Sequence, residues 1–319
     1  MKKNSSTTCG AAESWRSDRR LVALVFALSL LILIVLSYLV LIYAINGRSS
    51  VSLTAATRGL LPAAWRIGSV KYSVPTVNSA PTTAVHFVEP QTWPVRRVPI
   101  LMYHLIRNES STAPFMERAM SVSPDLFKQE MTWLKDNGYQ TISFDEFVAY
   151  ASSIAPLPPK PIIISFDDGS VTQYREAFPV LQSLGLKATF FVVTDYLGTK
   201  KASMTWDEVH ALDRAGMAIG SHTRTHPYVN RLKDMKKVWD EIVGSKQIIE
   251  KKLGHAISTF AYPWGGYDEY LEKLCRDNGY TAARGAQKGI ATTADNRYTL
   301  KAITVLGDMK RFQFLLNSQ

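Results

Sequence analysis

The sequence predicts an α/β fold assembled from parallel β/α units, and three observations lead there. Short, strongly apolar runs, Ile162 to Phe166 and Ala188 to Thr194 among them, alternate with stretches of helical period from residue 98 onward. Each cluster of chemically active side chains follows such a run directly: Asp167 with Asp168, His222 with His226, and the segment around Trp264. Parallel units carry the loops that follow their strands on one face, so side chains at those places converge. The composition, 46% hydrophobic and 20% charged over 319 residues, supplies a sizeable core for one large α/β domain or two small ones.

Taken in order, residues 1–20 form a polar tail with Lys2, Lys3, Arg16, Arg19 and Arg20 against Glu13 and Asp18. Residues 21–45 are uncharged and apolar throughout, long enough to cross a bilayer as a helix. A cleaved signal peptide is the alternative, with a shorter apolar core and a better small-residue site than Ala44-Ile45-Asn46-Gly47 expected for it. Basic residues before the span predict a single-pass anchor in the cell membrane with a cytoplasmic N-terminus, and the rest of the chain extracytoplasmic. Residues 46–97, rich in Ser, Thr, Ala and Pro, read as a linker that contains His86, and residues 98–319 as the globular domain.

Within that domain residues 98–106 are a strand candidate. Ser123 with Pro124 opens a helix whose Phe127, Met131 and Leu134 share one face until Gly138 stops it. Ser143 and Glu146 form a capping box for a second helix ending near Ser153. After the strand at 162–166, a helix is expected from Tyr174 to Leu184, kinked at Pro179. A strand at 188–194, a helix from Thr205 to Ala215 and the strand before His222 follow. Leu232 to Leu253 is the longest predicted helix, ended by Gly254. Then come a strand at 258–263, a helix from Tyr267 to Asn278, strands near 280–284 and 300–305, and a helix from Met309 to Leu316.

Adjacent carboxylates at the tip of a buried strand repel each other and are poorly hydrated, so Phe166-Asp167-Asp168-Gly169 suits a bound cation or proton. On its own it reads equally well as a strand ending in a solvated Asp-Gly turn. His222 and His226 are spaced to converge on one ion from a single turn, and two His with one Asp make an open site that leaves room for water and substrate. Phe260-Ala261-Tyr262-Pro263-Trp264-Gly265-Gly266 closes a third strand. With these three motifs in this order, the chain resembles the NodB-type polysaccharide deacetylases of carbohydrate esterase family 4 from about Val98 to Leu316.

The resemblance implies an irregular (β/α) barrel of about seven strands that removes N-acetyl groups from an N-acetylhexosamine polymer such as peptidoglycan or poly-N-acetylglucosamine. It implies a divalent metal held by Asp168, His222 and His226, zinc first, with cobalt, nickel or manganese as alternatives. Asp167 would be the general base, and the backbone N–H of Trp264 would help hold the oxyanion. Two departures stand out. The arginine that usually precedes the aromatic-Pro segment is Ala261 here, leaving Arg175, Arg224 and Arg284 as candidate neighbours for Asp167. The usual late Leu-x-His is missing, since no histidine follows His255. His104, in an early Tyr-His that resembles the poly-N-acetylglucosamine deacetylase branch, is the expected acid. His210 and His255 read as structural or solvated, and Trp264 and Tyr267 as sugar-stacking candidates, ahead of Trp206 and Tyr262.

The formal net charge of +10 suits an anionic partner, and nucleic acid is set aside because no basic run with interleaved aromatics occurs. The two cysteines, Cys9 and Cys275, are expected on opposite sides of the membrane and build no disulfide framework. The rival readings are a glycan-binding protein on the same barrel, an O-acetyl esterase and a two-metal phosphoesterase, the last needing more acids and histidines than these motifs supply.

Overall fold

The structure, a computed structural model, describes residues 93–317. The predicted tail, the apolar span at 21–45 and most of the linker, with Cys9 and His86, lie outside the described residues. Among the described residues no helix is long and apolar enough to cross a membrane. The chain joins the fold before residue 98: Trp93 packs on Tyr150 at 4.6 Å between ring centroids, and the Tyr150 hydroxyl donates to the Pro94 carbonyl at 2.8 Å.

Seven parallel strands close a ring in chain order: β1 (Ile100–Tyr103), β2 (Pro161–Phe166), β3 (Thr189–Val192), β4 (Ala218–Ser221), β5 (Thr259–Ala261), β6 (Ala282–Lys288) and β7 (Leu300–Thr304), with β7 pairing back onto β1. An additional short strand, Gln140–Thr141, runs beside the start of β2. The helices are α1 (Phe115–Ala119), α2 (Pro124–Asp136), α3 (Phe144–Ala151), α4 (Phe178–Leu184), α5 (Trp206–Arg214), α6 (Ser245–Leu253), α7 (Glu269–Asp277) and α8 (Met309–Asn317), with one further helical turn, Met235–Trp239, leading into α6. The expected irregular barrel of about seven strands is therefore present.

Strand alternation sorts the apolar side chains into two cores. Leu101, Tyr103, Ile162, Ile164 and Phe166 point outward and pack under the helices, whereas Ile100, Met102, Ile163, Phe191 and Ala302 fill the barrel. Phe144 and Phe147 of α3 join the inner cluster. The α3 carboxylate Asp145 accepts from Ser258 at 2.8 Å and Thr281 at 3.0 Å, just ahead of β5 and β6. This helix thus plugs the N-terminal end of the barrel and leaves the C-terminal end open. Gly220 on β4 is fixed by the same packing, since a Cβ there would stand 2.5 Å from the Phe191 ring.

Both predicted capping residues at 123 and 143 are found, as is a full capping box of Thr205 with Glu208. The structure departs from the sequence reading at two helices. The segment expected from Tyr174 opens instead with a π turn, Gln173–Ala177, directly before α4. Pro179 has no N–H to give its own i−4 carbonyl, so the ladder widens there rather than simply bending. The helix expected from Leu232 begins at Met235 behind an Asp234 cap and contains a second π turn, Asp240–Gly244, before α6. Strand β6 also runs beyond 284 to Lys288, with a register irregularity against β7 between those residues.

One core group has a pH consequence. Glu130 of α2 is fully buried and accepts from the Tyr103 hydroxyl at 2.9 Å. Burial raises its pKa to about 7, against the opposing hydrogen bond from Tyr103. The folded state therefore holds a proton that the unfolded chain releases near the ordinary carboxyl value, and stability falls as pH rises through that window. The shift corresponds to roughly 3 kcal/mol between about pH 4.5 and pH 7. The Glu130→Gln variant keeps an acceptor for Tyr103 and is expected to match the parent at pH 4.5 but to melt higher at pH 7.5. Equal melting shifts at both pH values would refute the assignment.

Candidate active site

The register of the barrel sets the site. Tyr103 of β1 pairs with Phe166 of β2, so the next residues, His104 and Asp167, emerge side by side, and the Asp167 amide donates to the Tyr103 carbonyl at 2.9 Å. Ser221 of β4 pairs with Phe260 of β5, which brings His222 beside Ala261. The His222 Nδ1 lies 2.7 Å from the Ala261 carbonyl. Donating Nδ1–H there leaves Nε2 with its lone pair directed at the acids, the tautomer a metal ligand requires.

Around Nε2 the groups close in. His222 Nε2 is 3.6 Å and His226 Nε2 3.3 Å from Asp168 Oδ1, and the three side chains offer ligand atoms within 4.8 Å of one another. Burial, and then the neighbouring His222, lowers the pKa of His226 to about 4, so it is a neutral, ligand-competent imidazole at pH 7. Two histidines and one carboxylate, one face open to a cleft, fit a divalent ion of zinc-like preference.

Asp167 lies apart from that trio and almost wholly buried. Its Oδ2 is 3.9 Å from His104 Nε2 on one side and 3.9 Å from His222 Nε2 on the other, while Oδ1 receives the Arg284 guanidinium. Burial alone would raise its pKa, but the charges of Arg284, His222 and His104 outweigh it and hold the carboxyl down to about 2. Arg284 is thus the cation among the three sequence candidates that reaches the base. Arg224 is committed to Asp195 at 3.0 Å and Asp240 at 2.6 Å, and Arg175 has no contact with Asp167. Because Arg284 of β6 is the ladder partner of Ala261, the guanidinium has moved one strand sideways from its expected position.

The backbone is strained where the chemistry gathers. Of the five non-glycine residues with positive φ among the described residues, four are Asp168 (73°), Thr223 (69°), His226 (63°) and Trp264 (60°). Such conformations cost of order 1–3 kcal/mol each and persist only where surroundings over-determine them. Both π turns supply that restraint. Gln173 in the first donates to the carbonyls of both His104, at 2.8 Å, and Asp167. Glu241 in the second accepts from the Arg224 and Thr225 amides at 2.9 Å each and from the Thr225 hydroxyl at 2.6 Å, gripping the loop between the histidines. Gln173 and Glu241 were not foreseen, because nothing in a sequence marks an i→i+5 turn that turns a polar side chain inward.

Above the site lies a cleft of about 370 Å³, lined by His104, Asp167, Asp168, His222, His226 and Trp264, with Met116, Glu117 and Met120 on its far side. Trp264 is 55% exposed and stacks on Tyr228 at 4.9 Å with ring planes 13° apart, and Arg231 covers the other side of Tyr228 at 4.3 Å. Among the described residues the Trp264 amide has no hydrogen-bond acceptor. Its indole N–H reaches the His226 carbonyl at 3.4 Å. Gly265, at φ 71°, must be glycine, since a Cβ would meet the Ala286 amide nitrogen at 2.6 Å. The sequence reading had Trp264 and Tyr267 as the aromatic candidates; the structure stacks Trp264 with Tyr228 and turns Tyr267 onto the buried Tyr262. His255 is a surface group bound to Asp213 at 3.0 Å, in line with the structural or solvated role expected for it.

Known proteins resemble this chain in sequence and in fold. The family described as polysaccharide deacetylase matches residues 155–283. YxkH of Bacillus subtilis (strain 168), named for that family, is 30% identical over 218 residues, 68% of this chain and 75% of its own. The poly-beta-1,6-N-acetyl-D-glucosamine N-deacetylase of Staphylococcus epidermidis is 25% identical over 235 residues, 65% of this chain and 78% of its own. Among solved structures, the Streptococcus pyogenes deacetylase PplD in complex with acetate superposes with a TM-score of 0.65 at 27% identity, covering 70% of this chain and 99% of that one.

Proposed function

Because the chain belongs to the polysaccharide deacetylase family, we propose that it hydrolyses N-acetyl groups on an N-acetylhexosamine polymer, poly-N-acetylglucosamine-like or peptidoglycan, releasing acetate and a free amine. The observation that carries this reading is the position of Asp167: one carboxylate oxygen stands 3.9 Å from His104 and from His222, with the Asp168, His222 and His226 trio beyond. A base flanked by an acid on one side and a metal site on the other is the constellation that amide hydrolysis needs.

Asp168, His222 and His226 would hold the divalent ion, zinc first, with cobalt, nickel or manganese as alternatives. When bound, such an ion supplies Lewis acidity to a water molecule and to the acetyl carbonyl. Asp167, ionised throughout the working pH range, takes the proton from the attacking water. The Trp264 amide donates to the oxygen that gains negative charge on the acetyl carbon. His104 then gives a proton to the departing nitrogen, which leaves as an amine. In this reading Asp167 stays outside the ligand trio, with one oxygen held by Arg284 and the other left to accept the proton.

The substrate class is supported by the cleft, where the half-exposed Trp264, backed by Tyr228, offers an aromatic surface for a sugar ring. It is supported as well by the name of the Staphylococcus epidermidis relative. We place the enzyme at the cell membrane, anchored by residues 21–45 with its N-terminus in the cytoplasm, on the strength of that uncharged stretch and the basic residues before it.

The test is acetate release from N-acetylglucosamine oligomers by purified protein, before and after chelation and with zinc restored. Release is expected to stop on chelation and to return with zinc. In His104→Ala, kcat is expected to fall by about 10²- to 10³-fold with little change in KM, the loss typical of a general acid. Glycan binding without acetate release at any metal loading would instead establish the binding-protein reading.

A further inference from the structure

A second concavity, of about 330 Å³, opens on the barrel flank beside β7 and α8. Arg97, Lys288 and Arg311 line it, and no carboxylate does. Lys301 adds its chain at the edge, its Cδ 3.0 Å from where a Cβ on Gly289 would stand. Among the described residues, none of the Arg97, Lys288 and Arg311 side chains has an ion pair or a side-chain hydrogen bond. Several cations elsewhere in the domain are matched instead: Arg107 with Glu109 and Glu117, Arg224 with Asp195 and Asp240, Lys187 with Glu146, Lys273 with Asp277. Converging like charges in a concave, low-dielectric wall focus a positive potential. Thr304 lines both this groove and the catalytic cleft.

We propose that this groove is a subsite for an anionic substituent, a carboxylate or phosphate, carried by the polysaccharide whose acetamide occupies the cleft. The inference rests on the deacetylase reading and narrows it, from any N-acetylhexosamine polymer to one bearing negative charge near the reacting sugar. The neighbourhood of groove and cleft, which share Thr304 in their walls, favours a substituent on the substrate itself. A lipid surface is disfavoured because the cations line a recess rather than a flat face. Arginine and lysine together suit both oxyanions, the guanidinium by a two-pronged hydrogen bond and the ammonium as a point charge.

The experiment compares acetate release by the full chain from neutral N-acetylglucosamine oligomers with release from oligomers of equal length carrying carboxylate or phosphate groups. A KM about tenfold lower for a charged oligomer is expected at low salt, the scale of one charge-assisted hydrogen bond, and the gap should close in high salt. The carboxylate and phosphate arms identify which oxyanion the groove prefers. Lys288→Gln with Arg311→Gln should erase that preference while leaving kcat and KM on the neutral oligomer unchanged. Equal KM values for charged and neutral oligomers, or a variant that shifts both alike, would overturn the proposal. So would a variant that loses binding to phosphatidylglycerol vesicles with its KM values intact. If no oligomer yields acetate, the deacetylase reading fails, and titration of the charged and neutral oligomers by calorimetry decides the groove separately.

Discussion

Asp167→Asn is expected to lower kcat by about 10³-fold or more while the protein still folds and still binds one divalent ion, the scale of a lost general base. Asp167 gives one oxygen to Arg284 and turns the other toward His104 and His222, whereas Asp168 contacts both metal-site histidines. Asparagine fits the same space but has no lone pair basic enough to take a proton from water. Asp168→Asn should act differently, weakening metal uptake first and recovering activity at high zinc. Measuring zinc stoichiometry beside kcat separates the two. Were Asp167→Asn to lose the ion while Asp168→Asn kept it, the roles assigned to the pair would be reversed.

The residues proposed for those roles could be picked out in the sequence because they are neighbours there. Asp167 and Asp168 are adjacent, and His222 and His226 lie one turn apart; each pair alone was ambiguous, and the order of the three motifs together pointed to a cation site. His104 could be nominated because it follows the apolar residues of a strand candidate in a Tyr-His pair that resembles the poly-N-acetylglucosamine deacetylase branch. What the sequence could not rank was Arg284 against Arg175 and Arg224. That choice depends on which residue of β6 faces Ala261 of β5, and register is fixed by the whole closed sheet rather than by any local pattern. The π turns at Gln173–Ala177 and Asp240–Gly244 were hidden differently. Apolar periodicity averages over several turns, so one widened turn barely shifts it, yet it decides whether Gln173 and Glu241 point at the site or away from it. Tyr228 was missed because an aromatic two residues after a histidine has no motif of its own. It matters only through its stack on Trp264, which comes from another strand end.

The second large effect is expected at Arg284. It is the largest fully buried side chain of the described residues, its guanidinium lies on Asp167, and it donates to the Gly285 carbonyl at 3.0 Å and covers the Phe191 ring at 5.2 Å. Replacing it by methionine leaves a buried carboxylate without its cation, a loss of roughly 3–5 kcal/mol for a broken buried pair. The sign with pH follows from Asp167. In the parent its folded pKa, about 2, is below the unfolded value, so it contributes stability above that range that is lost only as pH falls through about 2. In Arg284→Met burial acts without the guanidinium, the carboxyl titrates higher, and the deficit relative to the parent should be largest near pH 7 and shrink toward pH 4. The activity profile should acquire a new acidic limb that the parent lacks, because the base must be ionised to work. The register makes a sharper demand: since Ala261 and Arg284 face each other across the ladder, Arg284→Ala combined with Ala261→Arg should recover most of the melting temperature and activity lost in Arg284→Ala alone. A double variant no better than the single one would show that Asp167 needs its cation from β6 specifically, and that the two strand positions are not interchangeable.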